Sequence, residues 1–198
     1  RGRFREFYQA DVDVIGDGSL DASNEAEMVA IICETFRRLG LSRFQVRINN
    51  RKLLNALFSW LGMENNAAAV MGAIDKLDKI GAGKVLELLT DTVGVPTDKA
   101  KQLMDIISAE DPNAVLEAIR HEDERLEAGV TELRKVTDLL PAFGVPADKW
   151  RLDLTIARGL DYYTGTVYET TLLDYPEVGS VCSGGRYDDL AGDYTDKK

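Results

Sequence analysis

The alternation that marks half-buried β-strands stops in this chain at Ile48 and does not resume until Trp150. Between them apolar residues recur at helical spacing, punctuated by Gly62, Gly81, Gly83, Gly94, the Val95-Pro96 pair and Asp111-Pro112. Such a chain must close one sheet from pieces distant in sequence, with helices leaving and re-entering between strands. The expected fold is α+β: a sheet with flanking helices, divided into a first sheet-bearing part (1–50), an all-helical insertion (51–120) and a second sheet-bearing part (121–198).

The segment Arg3 to Ile15 alternates, with Phe4, Tyr8, Ala10, Val12 and Val14 on one face and Arg3, Arg5, Phe7, Gln9, Asp11 and Asp13 on the other. A polar face of that kind either meets solvent or grips a small charged ligand. From Asn24 a helix is expected, with Asn24 as N-cap, Glu27 completing a capping box, a stripe of Met28, Ile31, Ile32, Thr35, Phe36 and Leu39, and Gly40 at its end. Phe44, Val46 and Ile48 then alternate as a strand. The insertion carries stripes such as Leu53, Leu54, Leu57, Phe58 and Leu61, or Leu103, Ile106 and Ile107, and is expected to hold its own small core. A longer helix from Asp123 to Phe143 returns the chain to the sheet. His121 lies among Glu122, Asp123 and Glu124 and reads as solvated and silent.

Leu152, Leu154 and Ile156 alternate as a strand, and Tyr163 to Leu173 is strand-like again. Between them Arg158, Gly159, Asp161, Tyr162 and Tyr163 exceed what a plain hairpin needs. A surface ion pair of Arg158 with Asp161 and cross-strand packing of the tyrosines would be one account; a ligand site is the other. Val181 to Leu190 reads as a strand, a Gly184-Gly185 turn and a short helix. The two glycines serve either a turn with positive φ or the close approach of a ligand to the backbone.

Composition narrows the setting. With 24 Lys+Arg against 34 Asp+Glu, a net charge of −10, no overall field draws in nucleic acid, so any RNA contact is local. No apolar run reaches the roughly 18 residues needed to cross a bilayer, and no signal peptide opens the chain; a cytoplasmic setting is expected. Cys33, Cys182 and a single histidine support neither a disulfide framework nor a zinc site. Beginning at Arg1-Gly2-Arg3 and ending at Asp196-Lys197-Lys198, the chain reads as a fragment.

Taken together, RGRFREFYQADVDVIG, ARGLDYYTGTVYE and CSGGRYDDL resemble the histidyl-tRNA synthetase family. The first is similar to the second half of the class II synthetase motif 2, the others to the two signatures peculiar to the histidine enzymes, in the family's order and with a helical insertion between. The resemblance implies the antiparallel sheet of the class II catalytic core in part, without motifs 1 and 3 or an anticodon-binding domain. It implies that the parent protein activates histidine with ATP, supplied with Mg2+ as substrate, to histidyl-adenylate and passes it to tRNA(His), with no bound prosthetic group and no protein metal site. It further implies a homodimeric parent, with the fragment itself inactive and monomeric.

By the same resemblance Arg158 is the catalytic arginine, reaching the α-phosphate and the substrate carboxylate, where negative charge develops. Arg3 contacts the ATP phosphates and Phe7 stacks on adenine. Gln9 holds the amino end of histidine, Asp13 and Tyr163 serve the imidazole nitrogens, and Tyr162 with Gly184, Gly185, Arg186 and Tyr187 walls the pocket. Members of the family can carry Glu where this chain has Asp13; the shorter carboxylate then needs a closer strand or a bridging water. The rival reading is a catalytically silent relative, such as the regulatory subunit of ATP phosphoribosyltransferase, which binds histidine. The joint presence of Arg3, Arg158, Tyr162 and Tyr163 favours the enzyme.

Overall fold

The computed structural model describes residues 6–157 and 162–188. Its four strands, β1 (Phe44–Asn50), β2 (Trp150–Leu152), β3 (Thr166–Leu172) and β4 (Ser180–Gly185), form one sheet in the order β2-β1-β3-β4. Helix α1 (Ala22–Arg38) precedes β1. Helices α2 (Arg51–Trp60), α3 (Ala67–Ile74), α4 (Leu77–Ile80), α5 (Ala82–Glu87), α6 (Thr97–Ile107), α7 (Pro112–Ile119) and α8 (Glu124–Leu139) lie between β1 and β2. The α+β class holds, with one amendment to the antiparallel sheet. β1–β3 and β3–β4 are antiparallel, but β1 and β2 run parallel. Parallel neighbours cannot be joined by a tight hairpin; the helices supply the crossover.

β1 is an inner strand, and Val46 and Ile48 are fully buried. Phe44 meets Phe36 of α1 edge-on, with ring centroids 5.1 Å apart. On α8, Leu126, Val130, Leu133, Val136 and the adjoining Leu140 fall at steps of three and four residues, and all are buried against α1 and α2. The crossing of α8 with α2 needs Gly129, since a Cβ there would lie 2.7 Å from Leu53 Cα. Buried apolar side chains run without a break from α1 and β1 through α2 and α8 into α3, α5 and α6.

Several expectations are corrected. Helix α1 starts at Ala22, capped by Asp21, whose carboxylate accepts from the Ser23 N–H at 2.8 Å. Asn24 instead donates its side-chain amide to the Asp21 carbonyl, at 3.0 Å. An ionised acceptor at the positive end of the helix prevails over a neutral amide three residues on. The buried stripe turns with it, to Ala26, Val29 and Phe36, leaving Thr35 and Leu39 exposed.

The strand expected over Arg3 to Ile15 does not form in its described part: residues 6–16 pair with no strand, and Tyr8 and Ile15 are 101% and 91% exposed. Alternation supplies a face preference, but a strand also needs a neighbour for its N–H and C=O groups. The strand expected through Ile156 ends at Leu152, because Asp153 closes a turn by accepting from the Thr155 N–H at 3.1 Å. The strand expected over Tyr163 to Leu173 runs from Thr166 to Leu172. Gly184 and Gly185 lie within β4, neither with positive φ, so the turn is excluded. His121 is exposed beside Glu127, as read from the sequence.

Candidate functional site

Cross-strand register sorts the residues of the sheet onto two faces. Arg47 of β1 stands opposite Glu169 of β3, and Asn49 opposite Val167, which in turn faces Gly185 of β4. These share one face. The alternate residues, Ile48 and Tyr168 among them, belong to the face covered by helices, where the Tyr168 hydroxyl donates to the Glu25 carbonyl of α1 at 2.8 Å.

The tyrosines nominated from the sequence gather on the first face. The Tyr162 and Tyr163 rings are 4.5 Å apart, and Tyr187 lies 5.9 Å from Tyr162 and 6.4 Å from Tyr163. Tyr163 rests on Gly185, where a Cβ would come within 2.8 Å of its Cδ1. Gly184, paired with Tyr168, belongs to the opposite face, with nothing within 4 Å of its missing Cβ. The segment of residues 6–20 passes close by, and Tyr187 Oη donates to Asp13 Oδ1 at 3.3 Å. Asp13 is therefore joined to the cluster without strand pairing. Gln9 is exposed on the same segment, and Phe7 is 65% exposed. Arg3 and Arg158 lie outside the described residues.

Burial, then the hydroxyl of Tyr162 and the charge of Asp13, hold the Tyr163 phenol well above its ordinary value of 10.0. Burial and Asp13 push Tyr187 upward in the same way. At neutral pH both are hydroxyls able to donate and accept. A carboxylate, two phenols and aromatic rings thus share one face, a set of hydrogen-bond acceptors and donors beside flat apolar surface. Among the described residues no cluster of His, Cys, Asp and Glu could hold a metal ion, and no helix is long and apolar enough to cross a membrane.

Two charged networks went unread in the sequence. Arg47, with a side chain only 10% exposed, donates Nε to Asp153 at 2.7 Å, Nη2 to Thr155 at 3.0 Å and Nη1 to Asp78 at 3.1 Å, with Glu169 at 3.4 Å. It ties α4 to the turn that leads toward residue 158. The other joins Arg186, Glu25, Asp188 and Thr164 behind the tyrosines. Each member sits at a polar position of a predicted element; only the register and the docking of α1 reveal the partners.

All of residues 1–198 match the family model described as histidyl-tRNA synthetase. The chain is 47% identical over 202 residues to the histidine–tRNA ligase of Clostridium tetani, covering all of this chain and 46% of that protein. The crystal structure of histidyl-tRNA synthetase from a Nostoc species matches with a TM-score of 0.84 at 37% identity, over 91% of this chain and 43% of that one. A Bacillus halodurans structure titled ATP phosphoribosyltransferase regulatory subunit/histidyl-tRNA synthetase matches less well, with a TM-score of 0.74 at 28% identity, over 91% and 46%. The chain thus spans under half the length of the curated relative it matches. From the match along its whole length, the chain belongs to the histidyl-tRNA synthetase family.

Proposed function

We propose that the tyrosine-lined face binds histidine, as part of a cytoplasmic ligase that activates histidine with ATP and transfers it to tRNA(His). The observation that carries this is the meeting of Asp13 with Tyr187 and Tyr163, the latter resting on Gly185. Asp13 accepts from one imidazole N–H and the Tyr163 hydroxyl serves the other ring nitrogen, which fixes one tautomer and one orientation. An analogue lacking either ring nitrogen leaves a partner unsatisfied, the strongest basis for rejection. Tyr162 and Tyr187 wall the ring, Gly185 lets the Tyr163 ring lie close against β4, and Gln9 takes the amino end.

For the chemistry, Arg158 meets the charge that develops as the histidine carboxylate attacks the α-phosphate. Arg3 holds the ATP phosphates, and the exposed ring of Phe7 stacks on adenine; Mg2+ arrives with the nucleotide as part of the substrate. The helical stretch 51–120 acts as a lobe that supports tRNA charging more than histidine activation. The working form is a homodimer of the longer protein. The rival regulatory reading is weaker, because the relative matched over this whole chain is named a ligase.

The test replaces the matching stretch of the Clostridium tetani ligase with residues 1–198 and measures histidine-dependent ATP–pyrophosphate exchange, alongside calorimetric titration of the 198-residue chain with histidine. Exchange by the chimera, abolished by Arg158→Ala, is expected. Histidine binding without any exchange would shift the reading to a silent, binding-only relative.

A further inference from the structure

The two arms that carry the site tyrosines are clasped from behind. Tyr187 faces Asp13 and Tyr163, while its neighbour Arg186 turns to the helix-covered face, where its Nη1 donates to Glu25 Oε1 of α1 at 2.8 Å. The Arg186 Nε donates to Asp188 Oδ1 at 2.9 Å. The other oxygen of Asp188 accepts from Thr164 Oγ1 at 2.7 Å, and Thr164 Oγ1 in turn accepts from the Asp188 N–H at 3.1 Å. Backbone bonds from Thr164 N to the Arg186 carbonyl, at 2.8 Å, and from Arg186 N to the Thr166 carbonyl, at 2.9 Å, lie alongside. Gly165 leaves room for the arginine stem, since a Cβ there would lie 3.0 Å from Arg186 Cδ. Thus Thr164 adjoins Tyr163, and Arg186 and Asp188 flank Tyr187.

The clasp is not an ordinary surface pair. Glu25 is 4% exposed, the Arg186 side chain 18%, and the second Glu25 oxygen has no hydrogen-bond partner among the described residues. Removal of the guanidinium would strand a buried carboxylate, and movement of the 186–188 arm is the ready relief.

We propose that Arg186 is a positioning residue: by holding Glu25 and Asp188 it sets the spacing of Tyr187 and Tyr163 across the site without itself touching the ligand. This assigns Arg186 a place behind the pocket instead of in its wall, and it rests on the reading of that face as the histidine site. Arg186 acts through two neighbours at once, so a lysine, with a single compact charge, fills only part of its role.

The experiment follows the phenol titration of Tyr187 by NMR in the 198-residue chain with 13C-labelled tyrosine, assigned with Tyr187→Phe. The groups facing it are Asp13, Tyr162 and Tyr163. In Arg186→Ala the midpoint is expected to fall toward that of free tyrosine as Tyr187 leaves Asp13, with Arg186→Lys retaining part of the elevation. Loss of a nearby positive charge alone would move the midpoint upward, so a fall reports movement of the ring. Calorimetry on the same samples is expected to show histidine binding weakened tenfold or more in Arg186→Ala and less in Arg186→Lys. Should Arg186→Ala fail to fold, Thr164→Val, which removes the hydroxyl joining the two arms without changing any charge, reads the same displacement. An unmoved Tyr187 titration in the folded variants overturns the inference. A wild-type chain that shows the Tyr187 response but no affinity for histidine removes the histidine reading and leaves the clasp standing.

Discussion

Gly185 lies directly beneath the ring of Tyr163: a Cβ on Gly185 would sit 2.8 Å from Cδ1 of that ring and 2.8 Å from the Thr166 carbonyl oxygen. The backbone oxygen cannot rotate aside, so Gly185→Ala must push β4 from β3 or lift Tyr163 off the strand. We expect at least a tenfold loss of histidine affinity by calorimetry. Gly184→Ala, paired with Tyr168, points its methyl to the opposite face and meets nothing within 4 Å, so it should leave both thermal stability and histidine affinity unchanged. Equal stability losses in the two variants would show that both act through the strand and not through the ring.

Gly129 sets two effects of opposite sign against each other. Alanine in mid-helix is favoured over glycine by about 1 kcal/mol. Here, however, the new methyl would meet the Leu53 backbone at 2.7 Å, and overpacking of a tight contact costs about 1–3 kcal/mol. Because α2 is anchored through the Asn50 side chain, which accepts from Lys52 N at 2.8 Å, it cannot simply slide outward. A net destabilisation of about 1 kcal/mol is expected in urea unfolding of Gly129→Ala; an unchanged or raised midpoint would mean that the helices part freely.

What the sequence made legible follows the range of each signal. The long stripe of α8 was readable because Leu126, Val130, Leu133, Val136 and Leu140 repeat over several turns. β1 and β3 were readable from alternation and β-branched content. The segment holding Asp13 was misread as a strand, because its pattern carries no information about whether a hydrogen-bonding neighbour exists. Arg47 with Asp153, and Arg186 with Glu25, are separated by 106 and 161 residues; pairing at that distance is fixed by register and helix docking, which no local pattern encodes. The tyrosines and glycines of the site stood out for the opposite reason, since neither packing nor turn formation alone called for them.

The Arg47–Asp153 pair predicts the acid limb of stability. Burial works to raise the Asp153 carboxyl, but its hydrogen bonds from Arg47 and Thr155 and the charges of Arg47 and Arg151 prevail and hold it below its ordinary 3.8. A carboxyl depressed in the folded state contributes stability that is complete above the unfolded value and is lost as pH falls through the folded one. The wild-type chain should therefore lose stability progressively below about pH 4. Asp153→Asn should be less stable at pH 7, by about 3 kcal/mol, at the low end for a severed buried pair, because Asp78 and Glu169 still attend Arg47. Its stability should also decline less steeply below pH 4. Parallel acid limbs for the two chains would show that other carboxylates govern the transition.

In the proposed histidine site, specificity rests on Asp13. One of its oxygens accepts from the Tyr187 hydroxyl, which leaves the other to accept from an imidazole N–H. Asp13→Asn conserves volume but makes one side of the group a donor, so the site no longer guarantees an acceptor on both sides. Because Asp13 is exposed in the chain without ligand, the melting temperature should not change. In the Clostridium tetani chimera the Michaelis constant for histidine should rise while that for ATP stays nearly constant, with a loss in histidine kcat/KM of roughly 2 to 4 kcal/mol when a buried partner is left unpaired. Tyr163→Phe should act in the same direction more weakly, since a single neutral hydrogen bond is lost. Tyr187→Phe should be weaker still: it only frees Asp13 to move, and the carboxylate that meets the ligand remains. Equal damage to the ATP and histidine constants in Asp13→Asn would mean that the residue shapes the whole segment from Phe7 to Ile15, and the recognition role would pass to the tyrosines.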